Sequence, residues 1–263
     1  MAGQARGRAQ GAGQGGDRGG GSAPASRLLG VANSANRPPA ATSADIHAHL
    51  LRAITDQRLP PGTRLTEIAL VEAFNLGRRA VAEALQRLSW EGLVTLHPNR
   101  GAAVAAPSAE EARAIFAARE AIEAGTTEAV ARRGDAAACD ALTANLEAEH
   151  RARHAGRLRE AVILSGGFHV LMAELSGNPI LAAQVRLLVA RTSLVVALFE
   201  NRGALACWHD DHQDLLRLIR ARRHRAAASL MRRHLADIAA SFALDRAAAE
   251  AFDVRRALVR GAS

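Results

Sequence analysis

The chain has 263 residues, 49% of them hydrophobic and 3% aromatic, and a formal net charge of +8 from 34 basic and 26 acidic residues. That length holds two domains of ordinary size, each with its own core. The charge favours a polyanionic partner, nucleic acid before an anionic membrane surface. The two cysteines, Cys139 and Cys207, match no zinc or redox spacing and read as reduced, packed thiols. Tyrosine is absent and every basic residue is arginine, a bias that a GC-rich coding sequence explains as well as any physical need. No apolar run is expected to be long enough to span a bilayer: the best candidate, LLVARTSLVVALF, is broken by Arg191 and is better read as a buried helix. The N-terminus carries arginines but no apolar h-region, which argues against a secretory signal and for a cytoplasmic chain.

Residues 1–42, rich in Gly, Ala, Arg, Ser and Pro, show no hydrophobic periodicity and are expected to be disordered. From Ser43 the pattern changes. ADIHAHLLRAITDQ spaces Ile46, Leu50, Leu51 and Ile54 on one helical face. LPPGTRL then turns the chain. Thr66 caps a short helix, TEIALVEAF, with Glu67 in its first turn, where the dipole favours acid. RRAVAEALQRLSWEG forms a third helix with Val81, Leu85 and Leu88 inward, Trp90 packed at its end and Gly92 closing it. LVTLHPNRGAAVA reads as two short strands around a turn. Three helices and a hairpin predict a winged helix-turn-helix over 43–105.

After the linker AAPS the pattern is helical. Ser108 and Glu111 form a capping box opening a helix to about residue 133. Further helices are expected over 135–154, 157–175, 180–199, 204–222 and 225–244, with Asn178 as an N-cap and Pro179 at the first helical position. The fold class is therefore mostly α: a winged helix followed by an all-α bundle over 108–245, with a tail over 246–263.

In a helix-turn-helix the second helix presents its N-terminal residues to base edges in the major groove. Here it opens with Arg78 and Arg79, which can pair with guanine or reach phosphates. The bland alternative is two solvated arginines, although they oppose the helix dipole and so favour a partner anion. The opening helix, LPPGTRL, E-x-x-L, R-x-x-V-x-E-A-L, EGLV and PNRGA-x-V lie in order over some sixty residues, and this run resembles the DNA-binding domain of GntR-family bacterial transcription regulators. The DNA-facing set is then Thr66, Arg78, Arg79, Asn99, Arg100 and Gly101. The run departs from the family pattern at Gly77, where a serine normally caps, at Ala80 in place of proline, and at Ala82 and Ile68 in place of arginines. Weaker or altered DNA preference is expected.

Three histidines, His169, His212 and His234, fall on three separate predicted helices. Three imidazoles from three helices suit Zn²⁺, Ni²⁺ or a similar ion with open positions for water or a carboxylate. With ten histidines in the chain, chance convergence is the plain alternative. REAIE at 119–123, FHVLMAELSGNPIL, the segment around His212 and MRRHL at 231–235 make the second domain similar to the FCD effector domain of FadR-type GntR regulators. That resemblance implies a metal on His169, His212 and His234 and an effector pocket that adds Arg119 and Glu123. Where the family's metal-binding aspartate falls, four residues before His169, stands Ser165. A metal-free pocket whose imidazoles bond an anionic ligand therefore stays open. Arg119 and Glu123, spaced i,i+4, are equally read as a simple ion pair.

The expected function is a ligand-responsive regulator, a homodimer on double-stranded operator DNA, released by a small carboxylate metabolite, with no membrane partner. The rivals are a metal-dependent hydrolase built on the three histidines, which lacks an evident general base, and a degenerate regulator whose DNA reading has weakened. A non-enzymatic role is expected because the hydrolase leaves the winged head without a purpose.

Overall fold

A computed structural model describes residues 42–98, 101–199 and 208–242. The first helix, α1 (Ser43–Thr55), starts at a capping box in which Thr42 and Asp45 bond each other's backbone, and it buries Ile46, Leu50 and Ile54. Gly62, at φ +79°, makes the turn after Pro60-Pro61 and delivers β1 (Arg64–Leu65). Helix α2 (Glu67–Phe74) is capped by the Thr66 hydroxyl, which accepts from the Ala69 amide. Asn75 ends it in the left-handed region. Helix α3 (Arg78–Trp90) follows, then β2 (Val94–His97) and β3 (Gly101–Val104).

The three strands form an antiparallel sheet in the order β1-β3-β2, with Leu65 opposite Ala102 and Val94 opposite Val104. The hairpin wing was legible; β1 was not, because two residues carry no periodicity. One apolar cluster, including Ile46, Leu50, Val81, Leu85, Leu88 and Leu93, closes this head. Trp90 corrects the expectation of packing: its side chain is 80% exposed. Two residues past Leu88, it lies across the helix from the core-facing stripe.

The second part is all helix: α4 (Ala109–Arg133), α5 (Ala136–His154), α6 (Leu158–Leu175), α7 (Pro179–Phe199), α8 (Trp208–Arg220) and α9 (His224–Ser241). The Ser108–Glu111 capping box opens α4, and Gly134, at φ +56°, closes it. The Asn178 side chain accepts from the Ile180 and Leu181 amides and so caps α7. Phe168, Leu142, Met172, Leu215, Ile219, Met231 and Leu235 are among the fully buried core residues. Helix α4 runs beside α9, and α5 beside α6.

Helix α7 corrects a second expectation. It is long and apolar enough, by length and composition, to cross a bilayer, despite Arg186 and Arg191. Here it packs between two cores: Val195 and Val196 in the bundle, Ala190 and Leu194 in the cluster of the winged head. Apart from Thr42, the expected tails lie outside the described residues, as do residues 204–207 and 243–245, Asn99 and Arg100.

Candidate effector site and DNA-reading surface

Helices α6, α8 and α9 each bring one histidine to a single point inside the bundle. His169, His212 and His234 are 3%, 0% and 1% exposed. His212 Nε2 lies 3.2 Å from His169 Nε2 and 3.1 Å from His234 Nε2. A carboxylate stands behind each ring. Glu123 Oε2 is 2.6 Å from His169 Nδ1, Asp211 Oδ2 is 3.0 Å from His234 Nδ1, and Glu149 Oε2 is 3.5 Å from His212 Nδ1.

A carboxylate only accepts, so Glu123 and Asp211 draw the ring protons of His169 and His234 to Nδ1 and leave their Nε2 lone pairs aimed at the centre. Glu149, too far for a hydrogen bond, favours the same tautomer of His212 through its charge. Burial pushes His169 down to about 4, against the opposing pull of Glu123. Burial likewise pushes His212 down to about 3, against Glu149. Both rings are therefore neutral near pH 7. For Glu123, burial raises the pKa, but Arg119 and His169 together outweigh it and hold the carboxyl at about 2. Asp211 is lowered chiefly by its bond to His234.

Nε2 atoms facing one another at 3.1–3.2 Å can share at most a proton or two, and where neither carries a proton they repel. A cation between them removes that conflict. Zn–N bonds of about 2.0–2.1 Å in a tetrahedral set put two nitrogens roughly 3.3 Å apart, close to the spacing found. Carboxylates on the outer nitrogens are the usual support of metal-bound histidine. The donor set fits a borderline ion such as Zn²⁺ or Ni²⁺.

A cavity of about 110 Å³ opens beside His169. Its polar wall is Arg119, Ser165, His169, Thr192, Ser193 and Thr55, the last from α1 of the head, and its apolar wall includes Val162, Val189 and Val196. Arg119 is 3% exposed; its Nε donates to Glu123 Oε1 at 2.6 Å and its Nη1 to Thr192 Oγ1 at 3.4 Å. Its Nη2, also buried, has no hydrogen-bond partner among the described residues. A buried guanidinium nitrogen left unpaired is costly, and a ligand carboxylate is the group whose geometry matches it. The structure therefore brings Arg119, Ser165 and His169 to the cavity. Glu123 lies behind His169 and Arg119 rather than on the cavity wall, and His212 and His234 are likewise off the wall, in contact with His169 or with each other.

Sequence reasoning passed over Glu149 and Asp211. Glu149 is fully buried on α5 and is also paired with Arg153 at 3.2 Å. The one signal available was the position of Asp211 directly before His212. It misleads, because the carboxylate serves His234 instead.

In the head, α3 exposes Arg78, Arg79 and Ala82, with Arg79 Nε bonded to Glu83 at 3.0 Å. Gly77 caps this helix without a side-chain bond, so its first amides are left for solvent or an anion. Thr66 and Ile68 are exposed on the neighbouring α2, and Gly101, at φ +83°, starts the wing strand.

A winged helix fused to an all-helical domain around a buried polar site defines a DNA-binding transcription regulator with a regulatory domain. Comparison with known proteins carries this further. Residues 42–104 match the model of bacterial regulatory proteins of the gntR family, and residues 114–237 match the FCD domain. The chain is 32% identical over 211 residues to the HTH-type transcriptional repressor GlaR of Escherichia coli, spanning 74% of this chain and 92% of that protein. It is 26% identical over 205 residues to the repressor RspR of the same species, spanning 78% and 90%. Among solved structures, a putative GntR transcriptional regulator from Rhodococcus sp. RHA1 superposes with a TM-score of 0.68 at 22% identity, over 75% of this chain and 95% of that one. E. coli McbR/YncC does so with 0.64 at 20% identity, over 75% and 92%; both show the shared fold. The chain belongs to the GntR family, with an FCD effector domain, and this family consists of transcription regulators rather than enzymes.

Proposed function

We propose that the chain is a cytoplasmic, homodimeric repressor that a small carboxylate-bearing metabolite releases from operator DNA. The observation that carries it is the junction of two features: three imidazoles converging on one point, and beside His169 a cavity lined by Arg119, whose buried Nη2 has no hydrogen-bond partner among the described residues. His169, His212 and His234 would hold a divalent ion, Zn²⁺ or Ni²⁺, whose open positions would offer a carboxylate oxygen a bond. Arg119 Nη2 would orient the other oxygen, with Ser165, Thr192 and Ser193 as hydroxyl neighbours. Ser165 leaves the set with no charged ligand, so the pocket keeps its positive character for an anion. Glu123 acts from behind, fixing both Arg119 and His169. Two winged heads in a two-fold dimer match two half-sites. Thr66, Arg78, Arg79, Asn99, Arg100 and Gly101 form the DNA-facing set, with Arg79 shared between DNA and Glu83. The names of the repressors GlaR and RspR support the sign of regulation. Elemental analysis of purified protein, with a mobility-shift titration on the DNA upstream of the chain's own coding region, tests the reading. About one metal per chain and a salt-sensitive, sequence-selective shift are expected. Metal-free protein and a shift indifferent to sequence would refute it.

A further inference from the structure

The cavity beside His169 is not enclosed by the effector domain alone. Thr55, the last residue of α1, forms part of its wall, and the preceding residue, Ile54, is 1% exposed in the core of the winged head. Another part of the wall is α7, where Val189, Thr192, Ser193 and Val196 recur at helical spacing on the cavity side. The adjacent stripe of the same helix, Ala190 and Leu194, is 6% and 1% exposed and belongs to the apolar cluster of the head. Arg191, between these stripes, lies against Gly92, two residues past the end of α3. A Cβ on Gly92 would stand 3.1 Å from Arg191 Nε and 3.2 Å from its Cζ. Gly92, at φ +72°, is thus suited to its place twice over, by backbone and by the closeness of that guanidinium.

One packed helix cannot shift its cavity stripe and leave its head stripe in place, because close-packed interiors transmit displacement. We propose that the head reads cavity occupancy by direct contact. Thr55 touches the occupant, and α7 carries any movement of the cavity wall through Ala190, Arg191 and Leu194 to the end of α3. This rests on the cavity being the effector site and adds what that reading lacks, a two-ended element whose arrangement both sites bias. Thr55 is then a ligand-site residue supplied by the DNA-binding domain.

The test fills the cavity from either wall in the full chain. Thr55→Trp enters from the head and Ser193→Leu from α7, and hydrogen exchange is read on peptides covering residues 85–93. Whichever variant retains the wild-type circular dichroism should exchange about tenfold faster there. Wild-type protein given Zn²⁺ with citrate, as the carboxylate probe, should change in the same segment. Folded variants with wild-type exchange over 85–93, or a citrate response confined to α6 and α7, would overturn the proposal. A response in the variants combined with no citrate uptake in calorimetry would support the contact and refute a carboxylate as the effector. Citrate uptake with a silent 85–93 segment would do the reverse.

Discussion

Replacing Glu123 by Gln changes one atom and should disturb two systems. Glu123 is 1% exposed and accepts from Arg119 Nε and His169 Nδ1, each at 2.6 Å. The amide keeps the shape but loses the charge, so the buried Arg119 guanidinium is left uncompensated. Removing one partner of a buried pair costs about 3–5 kcal/mol. The amide also has one oxygen for two donors. If it serves Arg119, its NH₂ faces His169 Nδ1, which must then accept; the ring proton moves to Nε2 and points into the three-histidine centre. A protonated Nε2 cannot bind a metal, and loss of such a supporting carboxylate weakens metal affinity by about 10–100-fold. Urea unfolding followed by fluorescence, and competitive Zn²⁺ titration against a chromophoric chelator, read the two effects separately. Unchanged Zn²⁺ affinity would refute the tautomer argument. An unchanged unfolding midpoint would refute the buried-charge argument.

Further outcomes follow from other residues. His212→Ala removes the nitrogen within reach of both other Nε2 atoms, so elemental analysis should show the metal lost. Because burial holds His169 near 4 and His212 near 3, the unfolded chain, titrating at the ordinary histidine value, binds more protons between those values and about 6.5. Stability should therefore be complete above that upper value and fall as the medium is acidified through the window. Urea midpoints measured in chelator from pH 7 to 4 check this, and a flat profile would contradict it. Ala82→Arg adds a cation to the exposed face that bears Arg78 and Arg79, so DNA affinity should rise and the salt slope steepen by about one. Gly92→Ala meets both the positive φ and the Arg191 side chain. It should cost about 1–3 kcal/mol in urea unfolding.

Much of this protein was readable before any tertiary contact was known. The Ser108–Glu111 box, the Asn178 cap, Gly134 and the stripe Val81, Leu85, Leu88 are local devices, and each acts within one or two turns of the chain. They placed the helices, the winged head and the three histidines on three separate helices. Trp90 was misread although its place two residues past Leu88 already puts it off the core stripe, and β1 escaped because it is two residues long.

Tertiary structure alone decided which acid stands behind which histidine. Glu123, Glu149 and Asp211 come from α4, α5 and α8, and no spacing says that Asp211 serves His234 rather than its neighbour His212. It also decided that Arg119 keeps one nitrogen without a partner among the described residues and that Thr55 of the head walls the cavity of the second domain. Helix caps and apolar stripes depend on residues a few positions apart, which the sequence determines directly. Convergence at a buried point depends on how separate helices pack, and only the folded chain settles that.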